Sequence, residues 1–355
     1  MTDARTPISP GKWWGLRRLA DDSGRFKMLA VDQRPPIKNL VSDARGTDAA
    51  SYDDVADVKR LLVEELGPMA SAVLVDPHFA YPRAIDAVSP RQGLLLTLED
   101  SIFVETPEGR LSSAIDDWSV DKIRRVGGDA VKVLAWYRPD ADPKVNEHQQ
   151  EFVATIGDAC RRHDIPFLFE LLVYSFPGDD EHTTGYVEQP RKRSDHVLES
   201  IATFAAPEFG VDVFKLESPL PAAALPDPST GGSDVADVQA LFDEVDRLSP
   251  VPWVMLSAGA TQQAFRHVLT YAYNAGASGF LAGRAIWWDA LQAFPDITAT
   301  TAGLRSNSVP YMEEIGAMTD AAAKPFVEHR SFEPAGPGLE HPDADFRHTY
   351  EGTTR

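Results

Sequence analysis

Short apolar runs recur along the chain and alternate with longer amphipathic stretches. Eight runs have strand length: KMLAVDQ (27–33), SAVLVDP (71–77), GLLLTLE (93–99), AVKVLAW (130–136), PFLFELLVY (166–174), VDVFKLES (211–218), PWVMLSAG (252–259) and SGFLAGR (278–284). They are rich in β-branched and aromatic residues, as strands buried on both faces are. Between most of them lie patterns with helical period, such as DDVADVKRLLVEELGPMA, VNEHQQEFVATIGDACRRH, SDHVLESIATFAA, DVADVQALFDEVDRL and TQQAFRHVLTYAYNAG. Strand and helix alternating eight times predicts an α/β fold, a (β/α)8 TIM barrel. A doubly wound nucleotide-binding sheet would place a glycine-rich loop after its first strand. Here that strand ends in Asp32-Gln33-Arg34-Pro35-Pro36, without glycine.

The ends read as additions to this core. SPGKWWGLRRLADDSG predicts a capped N-terminal helix that closes the bottom of the barrel. Residues 1–330 form one domain in this reading. Residues 331–355 are polar, acidic and rich in Pro and Gly, and predict a loosely packed or disordered C-terminal tail.

Composition narrows the partners. The formal net charge of −20, with ten lysines against 24 arginines, excludes the basic face that nucleic acid requires and disfavours anionic membranes. No apolar run approaches the roughly 18 residues of a bilayer span. The opening segment lacks the apolar stretch of a signal peptide, so a cytoplasmic protein is expected. The single cysteine, Cys160, permits no internal disulfide and falls in a helical pattern as a packed thiol. None of the nine histidines forms an HxH or HExxH pair. Asp76-Pro77-His78 is the nearest thing to a metal motif and reads better as a rim contact, so no metal and no cofactor are expected. Trp13-Trp14 and Trp287-Trp288 read as packing or subunit contacts.

A barrel of this kind carries its chemistry at the C-terminal ends of its strands. Side chains alternate along a strand. Lys132 therefore shares a face with Ala130, Leu134 and Trp136; Glu170 shares one with Leu168 and Leu172; Lys215 shares one with Val211, Val213 and Glu217. Taken alone, Lys215 is an ordinary strand-end lysine whose ammonium reaches water. Two lysines converging inside one barrel are another matter. Each opposes the other's charge, which lowers a lysine pKa toward the range an amine nucleophile needs. Glu170 between them balances charge and can shuttle a proton, and Asp32 at the end of the first strand can join them. Ser257 and Gly259 end the seventh strand, and Gly283 and Arg284 end the eighth. Loops at these two places commonly bind phosphate through backbone N–H groups, and Arg284 adds a planar cationic donor.

MLAVDQR, AVKVLAWYR, FELLVY, FGVDVFKLESPL, PWVMLSAG and GFLAGRAIW together resemble the class I tagatose-1,6-bisphosphate aldolases. MLAVDQR, ASAVLVDPHF, PWVMLSAG and AGASGFLAGRAIW are also similar to the related sulfofructose-phosphate aldolases. The likeness runs from about residue 15 to 325 and touches seven of the eight strands. It implies a (β/α)8 barrel that reversibly cleaves a ketose 1-phosphate, without metal, to dihydroxyacetone phosphate and a three-carbon aldehyde. It implies that Lys215 forms the Schiff base, that Lys132 and Asp32 assist, and that Glu170 is an acid/base. Gln33 and Arg34 would lie near substrate, with Ser257, Gly259, Gly283 and Arg284 at its anionic end. A homo-oligomer is expected.

The chain departs from the family's pattern in two places. FELLVY lacks the proline that often follows the family's glutamate. The next loop, SFPGDDEHTTGYVEQPRKR, is its own, and its Arg191-Lys192-Arg193 reads as a solvated helix start or as a second anion contact, the first being favoured. Three other readings stand beside the ketose-bisphosphate aldolase: a sulfofructose 1-phosphate aldolase giving sulfolactaldehyde, a lysine-dependent sugar-phosphate decarboxylase or isomerase, and a non-enzymatic sugar-phosphate sensor.

Overall fold

The computed structural model describes residues 5–180, 182–185, 188–189 and 191–350. Its centre is a closed barrel of eight parallel strands: β1 (Phe26–Ala30), β2 (Ala72–Val75), β3 (Gly93–Thr97), β4 (Ala130–Trp136), β5 (Phe167–Leu172), β6 (Val213–Leu216), β7 (Trp253–Met255) and β8 (Gly279–Ala282). Each strand pairs with its neighbour in sequence, and β8 pairs with β1, Phe280 opposite Lys27, to close the ring. Seven of the eight strands fall within the apolar runs of the sequence, and β1 begins one residue earlier, at Phe26. All but β4, which fills its run, are shorter than the runs, because the polar end of each of those runs leaves the ladder and becomes a loop.

The connections are amphipathic helices whose apolar faces pack on the outer strand residues. After α1 (Pro10–Leu19), which precedes β1, the helices include α2 (Pro35–Arg45), α3 (Tyr52–Leu66), α4 (Val120–Arg125), α5 (Pro143–Arg162), α6 (Ser194–Phe204), α7 (Ser233–Leu248) and α8 (Gln262–Ala275), with α9 (Arg284–Leu291) and α10 (Val309–Ala322) following β8. Local sequence sets their starts. Ser51, Ser119, Asp142 and Thr261 each accept a backbone N–H from the first turn of α3, α4, α5 and α8, satisfying donors that a helix leaves open. No described helix is long and apolar enough to cross a membrane.

Inside the barrel, alternate strand residues form a second core. Met28, Ala72, Leu74, Leu95, Ala130, Leu168, Val213, Val254 and Leu281 fill its lower half, and Leu16 and Leu19 of α1 seal it from below. The N-terminal helix thus closes the barrel bottom, as expected. Gly11 and Gly15 let α1 come that close, because a Cβ at Gly15 would lie 2.4 Å from the Asp129 carbonyl oxygen.

The C-terminal segment differs in part from expectation, in being ordered by specific partners. Phe332, Pro337 and Gly338 are buried, whereas residues 341–350 are largely exposed. Pro337–Leu339 forms a parallel two-stranded sheet with Thr6–Ile8, and the Tyr350 hydroxyl donates to Asp164 Oδ2 at 3.0 Å. Composition signalled a polar segment correctly. It carried no sign of the long-range strand partner and hydrogen bonds that hold the segment in place.

Candidate active site

The lower half of the barrel is apolar and the upper half is charged. At the C-terminal ends of the strands a pocket is lined by Asp32, Gln33, Arg34, Glu99, Ser101, Lys132, Glu170, Lys215, Ser257, Gly283 and Arg284. Leu134, Leu172, Leu256 and Leu281 supply its apolar wall. Of the ten residues selected from sequence, nine line this one pocket. The tenth, Gly259, lies behind Arg284: its φ of +84° is a left-handed conformation, and a Cβ there would stand 3.4 Å from Arg284 Nη1.

Strand register explains the convergence. Glu170 pairs directly with Lys215 across β5 and β6. Leu134 pairs with Glu170 across β4 and β5, so Lys132 starts two residues lower and reaches up diagonally. Glu170 Oε2 lies 2.8 Å from Lys132 Nζ and 2.9 Å from Lys215 Nζ. These contacts are ion pairs; Oε2 has no well-directed hydrogen bond. All three side chains are buried.

The two lysines differ in what surrounds them. Lys132 Nζ donates to Asp32 Oδ2 at 2.9 Å and to Glu99 Oε1 at 2.6 Å, besides its contact with Glu170. Three carboxylates cage one ammonium. Burial alone would push this lysine down, but Asp32, Glu170 and Glu99 outweigh it and hold its pKa well above the ordinary value. For Lys132 the sequence expectation of a depressed pKa is therefore reversed: acids outnumber the neighbouring cation. Lys215 has Glu170 as its only ion-pair partner among the described residues, so its remaining N–H positions are free on the side of the pocket it lines.

The carboxylates respond in kind. Burial raises the Asp32 pKa, but Lys132, Lys215 and Lys59 prevail and hold it at about 2. Burial also raises Glu170, and Lys132 and Lys215 overcome that and bring it below the usual range. Asp32 Oδ1 and Gln33 Oε1 are buried with no hydrogen-bond partner, so each retains an open acceptor.

Two cations flank the cluster. Arg284 begins α9, directly after Gly283, whose missing side chain avoids the Ala30 carbonyl oxygen. Its guanidinium has no ion pair or hydrogen bond among the described residues, and burial lowers its pKa despite Glu170 and Asp32 nearby. Half-buried and without a protein partner among the described residues, this cation is chemically open to an anion. Ser257 and Ala258 complete this end, Ala258 holding a strained φ of +46°. At the β1 side, Arg34 Nη2 donates to the Glu99 carbonyl oxygen at 2.9 Å while its Nε and Nη1 have no partner.

Glu99 and Ser101 were not selected from sequence. The signal for Glu99 was present: Leu95 lies in the interior core, and the alternation that finds Lys132 also carries Thr97 and Glu99 inward. The Thr97 hydroxyl donates to Glu99 Oε2. Glu217, placed by alternation beside Lys215, does not line the pocket. β6 ends at Leu216, and the Glu217 carboxylate turns to Lys192 Nζ at 2.9 Å and to the Val173 N–H at 2.7 Å. Lys192 is buried against Glu188 and Glu217, so it is neither solvated nor open to an anion. Asp76 is likewise occupied, paired with buried Lys59 and accepting the His78 and Phe79 N–H groups. No cluster of His, Cys, Asp or Glu that could hold a metal occurs among the described residues. Trp287 is buried with its indole N–H on the Ala30 carbonyl, and Trp14 is exposed.

A charged lysine, a second lysine with open valences and a shared carboxylate at the mouth of a (β/α)8 barrel are the equipment of a carbon–carbon lyase. The chain belongs to the DeoC/LacD family of aldolases, whose model matches residues 26–289. The tagatose 1,6-diphosphate aldolase of Listeria monocytogenes serovar 1/2a is 36% identical over 333 residues, covering 92% of this chain and 97% of the relative. Tagatose 1,6-diphosphate aldolase 2 of Streptococcus mutans is 31% identical over 327 residues, covering 90% and 98%. Among solved structures, fructose-bisphosphate aldolase from Plasmodium falciparum superposes with a TM-score of 0.65 at 14% identity, covering 91% of this chain and 99% of that one. An archaeal fructose 1,6-bisphosphate aldolase gives 0.54 at 16%, covering 87% and 98%. These two likenesses concern the fold. The protein is an aldolase.

Proposed function

We propose that this aldolase is of class I, working through a Schiff base on Lys215, and that it cleaves a ketose 1-phosphate of the tagatose 1,6-bisphosphate type to dihydroxyacetone phosphate and glyceraldehyde 3-phosphate. One observation carries the reading. Of two buried lysines on one carboxylate, Lys132 is saturated by three acids, and Lys215 has a single acid and free positions at the pocket. An ammonium in a cage is an electrostatic fixture, and an amine beside one proton acceptor is a nucleophile.

Glu170, ionised at rest, takes a proton from Lys215. The neutral amine adds to the C2 carbonyl carbon and gives a carbinolamine. Glu170 returns the proton to the carbinolamine hydroxyl, water leaves, and an iminium forms. Glu170, now a carboxylate again, accepts the C4 hydroxyl proton. The C3–C4 electron pair moves onto C3 and the iminium as an enamine, and the aldehyde departs. Protonation at C3 and hydrolysis release dihydroxyacetone phosphate and regenerate Lys215. The stronger depression of Asp32, to about 2, suits it to hold a substrate hydroxyl through its open Oδ1 rather than to remove a proton. Lys132 stabilises the negative charge that develops on the C4 oxygen. The C1 phosphate fits against Arg284, Ser257 and the backbone at Ala258 and Gly283, with Gly259 shaping the turn behind Arg284. Gln33 and Arg34 face the far end, where the open Nε and Nη1 of Arg34 suit a second anionic group.

Borohydride with dihydroxyacetone phosphate should trap a covalent adduct on Lys215. Lys215→Ala should abolish the adduct, and Lys132→Ala should retain it. An adduct in Lys215→Ala sinks the nucleophile assignment. Retro-aldol assays with tagatose 1,6-bisphosphate, fructose 1,6-bisphosphate, sulfofructose 1-phosphate and an unsubstituted ketose 1-phosphate define the far end. Turnover of only the last would remove Arg34 from substrate recognition.

A further inference from the structure

The loop between β5 and α6 carries a buried ammonium with no place in the chemistry above. Lys192 has a side chain with no solvent exposure. Its Nζ donates to Glu188 Oε1 at 2.6 Å and to Glu217 Oε2 at 2.9 Å. Each of those carboxylates uses its second oxygen to accept a backbone N–H from a different place. Glu217 Oε1 takes the Val173 N–H at 2.7 Å, at the end of β5. Glu188 Oε2 takes the Ala222 N–H at 2.8 Å, in the loop after β6. The Glu188 backbone N–H then donates to the carbonyl oxygen of Ala258 at 3.2 Å. Ala258 is the strained residue between Ser257 and Gly259, in the loop that faces Arg284.

One ammonium therefore joins the ends of β5, β6 and β7. One local consequence falls on Ala258. A left-handed alanine is unfavourable by itself and persists where surrounding contacts enforce it. The Ala260 N–H closes the turn on the Ser257 carbonyl at 2.7 Å, and from outside the turn the Glu188 N–H donates to the Ala258 carbonyl; Glu188 is itself held on both sides, by Lys192 and by Ala222.

We propose that Lys192 is a positioning residue: a buried latch that fixes Glu188 on Ala258 and so holds the Ser257–Gly259 loop in its anion-binding form. The inference rests on the reading of that loop and Arg284 as the site of the substrate's phosphate. It assigns Lys192 a role through other residues, at a distance from the reacting atoms. Neighbouring Arg193 is exposed and paired with Asp195, outside the latch.

Three proteins test it: Lys192→Met, Lys192→Arg and Arg193→Ala, each purified as the full chain. Affinity for inorganic phosphate is measured by calorimetry, and kcat and KM are measured for tagatose 1,6-bisphosphate cleavage. Lys192→Met should weaken phosphate binding and raise KM, each about tenfold, with kcat within about threefold. A purely structural loss would lower the melting temperature and the active fraction, and so kcat, leaving KM unchanged. Lys192→Arg should recover most of the affinity, since a guanidinium can still bridge two carboxylates, and Arg193→Ala should match wild type. Should Lys192→Met fail to fold, Lys192→Met/Glu217→Gln removes the stranded carboxylate, keeps an acceptor for the Val173 N–H, and carries the same expectation. Unchanged phosphate affinity in a folded variant lacking Lys192, or an equal loss in Arg193→Ala, overturns the latch. Wild-type protein that binds phosphate without cleaving any ketose phosphate refutes the proposed reaction instead, and the latch is then decided by phosphate affinity. Wild-type protein without phosphate affinity overturns the latch together with the anion site.

Discussion

Replacing Lys132 with methionine should make the protein's stability fall with rising pH, where the wild type's is flat. In the native site three carboxylate oxygens lie 2.6–2.9 Å from one ammonium. At an effective dielectric of about 20, each such contact has a gross attraction of about 6 kcal/mol. Most of that offsets the cost of burying the charges, and truncating one partner of a buried pair leaves a net loss of about 3–5 kcal/mol. Asp32 and Glu170 have folded pKa values below their unfolded ones. Their contribution is present above about pH 4 and fades as pH falls toward 2 in the case of Asp32. Lys132 is raised, so its contribution holds below about pH 10 and is lost only as pH rises past its folded value. Wild-type protein should consequently show little change in this part of its stability between pH 5 and 8. In Lys132→Met, Asp32, Glu99 and Glu170 remain buried and repel one another, and the folded state must retain protons that the unfolded chain releases. Stability should then fall by about 1.4 kcal/mol per pH unit for each carboxyl kept protonated. Urea unfolding at pH 5 and pH 8 reads this directly: a variant close to wild type at pH 5 and several kcal/mol weaker at pH 8. The same deficit at both pH values would refute the charge cage and leave only lost packing.

Further outcomes follow from the same contacts. Arg284→Ala should raise KM for a ketose 1-phosphate by about 10²-fold with a smaller fall in kcat, because a desolvated guanidinium–phosphate pair is a strong charge-assisted contact; an unchanged KM would remove Arg284 from the anion site. Glu99→Gln keeps an acceptor for Lys132 and the Thr97 hydroxyl while deleting one charge, so kcat should drop about tenfold or less and borohydride trapping on Lys215 should persist; loss of trapping would move Glu99 into the nucleophile's own machinery. Deleting residues 331–355 removes the Thr6–Ile8 pairing and the Tyr350–Asp164 bond, and should lower the melting temperature by several degrees while kcat and KM stay within about twofold; a large change in KM would mean that this segment reaches the strand mouths.

Much of this arrangement was legible because a barrel strand obeys one rule. Period two separates the outer core from the inner one, and charged residues on the inner parity stand out against leucine and valine. The rule placed Lys132, Glu170 and Lys215 on one interior and applies equally to Glu99, which the continuous leucine run of β3 concealed. Past the end of a strand the partners decide: Glu99, beyond β3, is drawn inward by Lys132, and Glu217, beyond β6, is drawn aside by Lys192 and the Val173 N–H. The balance of charge was beyond the rule's reach. Two lysines in a sequence suggest mutual repulsion, yet the pKa of Lys132 depends on how many acids the neighbouring strands deliver to its nitrogen. That number comes from β1, β3 and β5 together, through strand tilt and register. The division of labour between the lysines is therefore a property of the closed barrel: Lys132 points where three strand ends bring carboxylates together, Lys215 where only Glu170 arrives. Exchanging their roles would require moving acids from one side of the barrel to the other, and no single substitution at either lysine can do that.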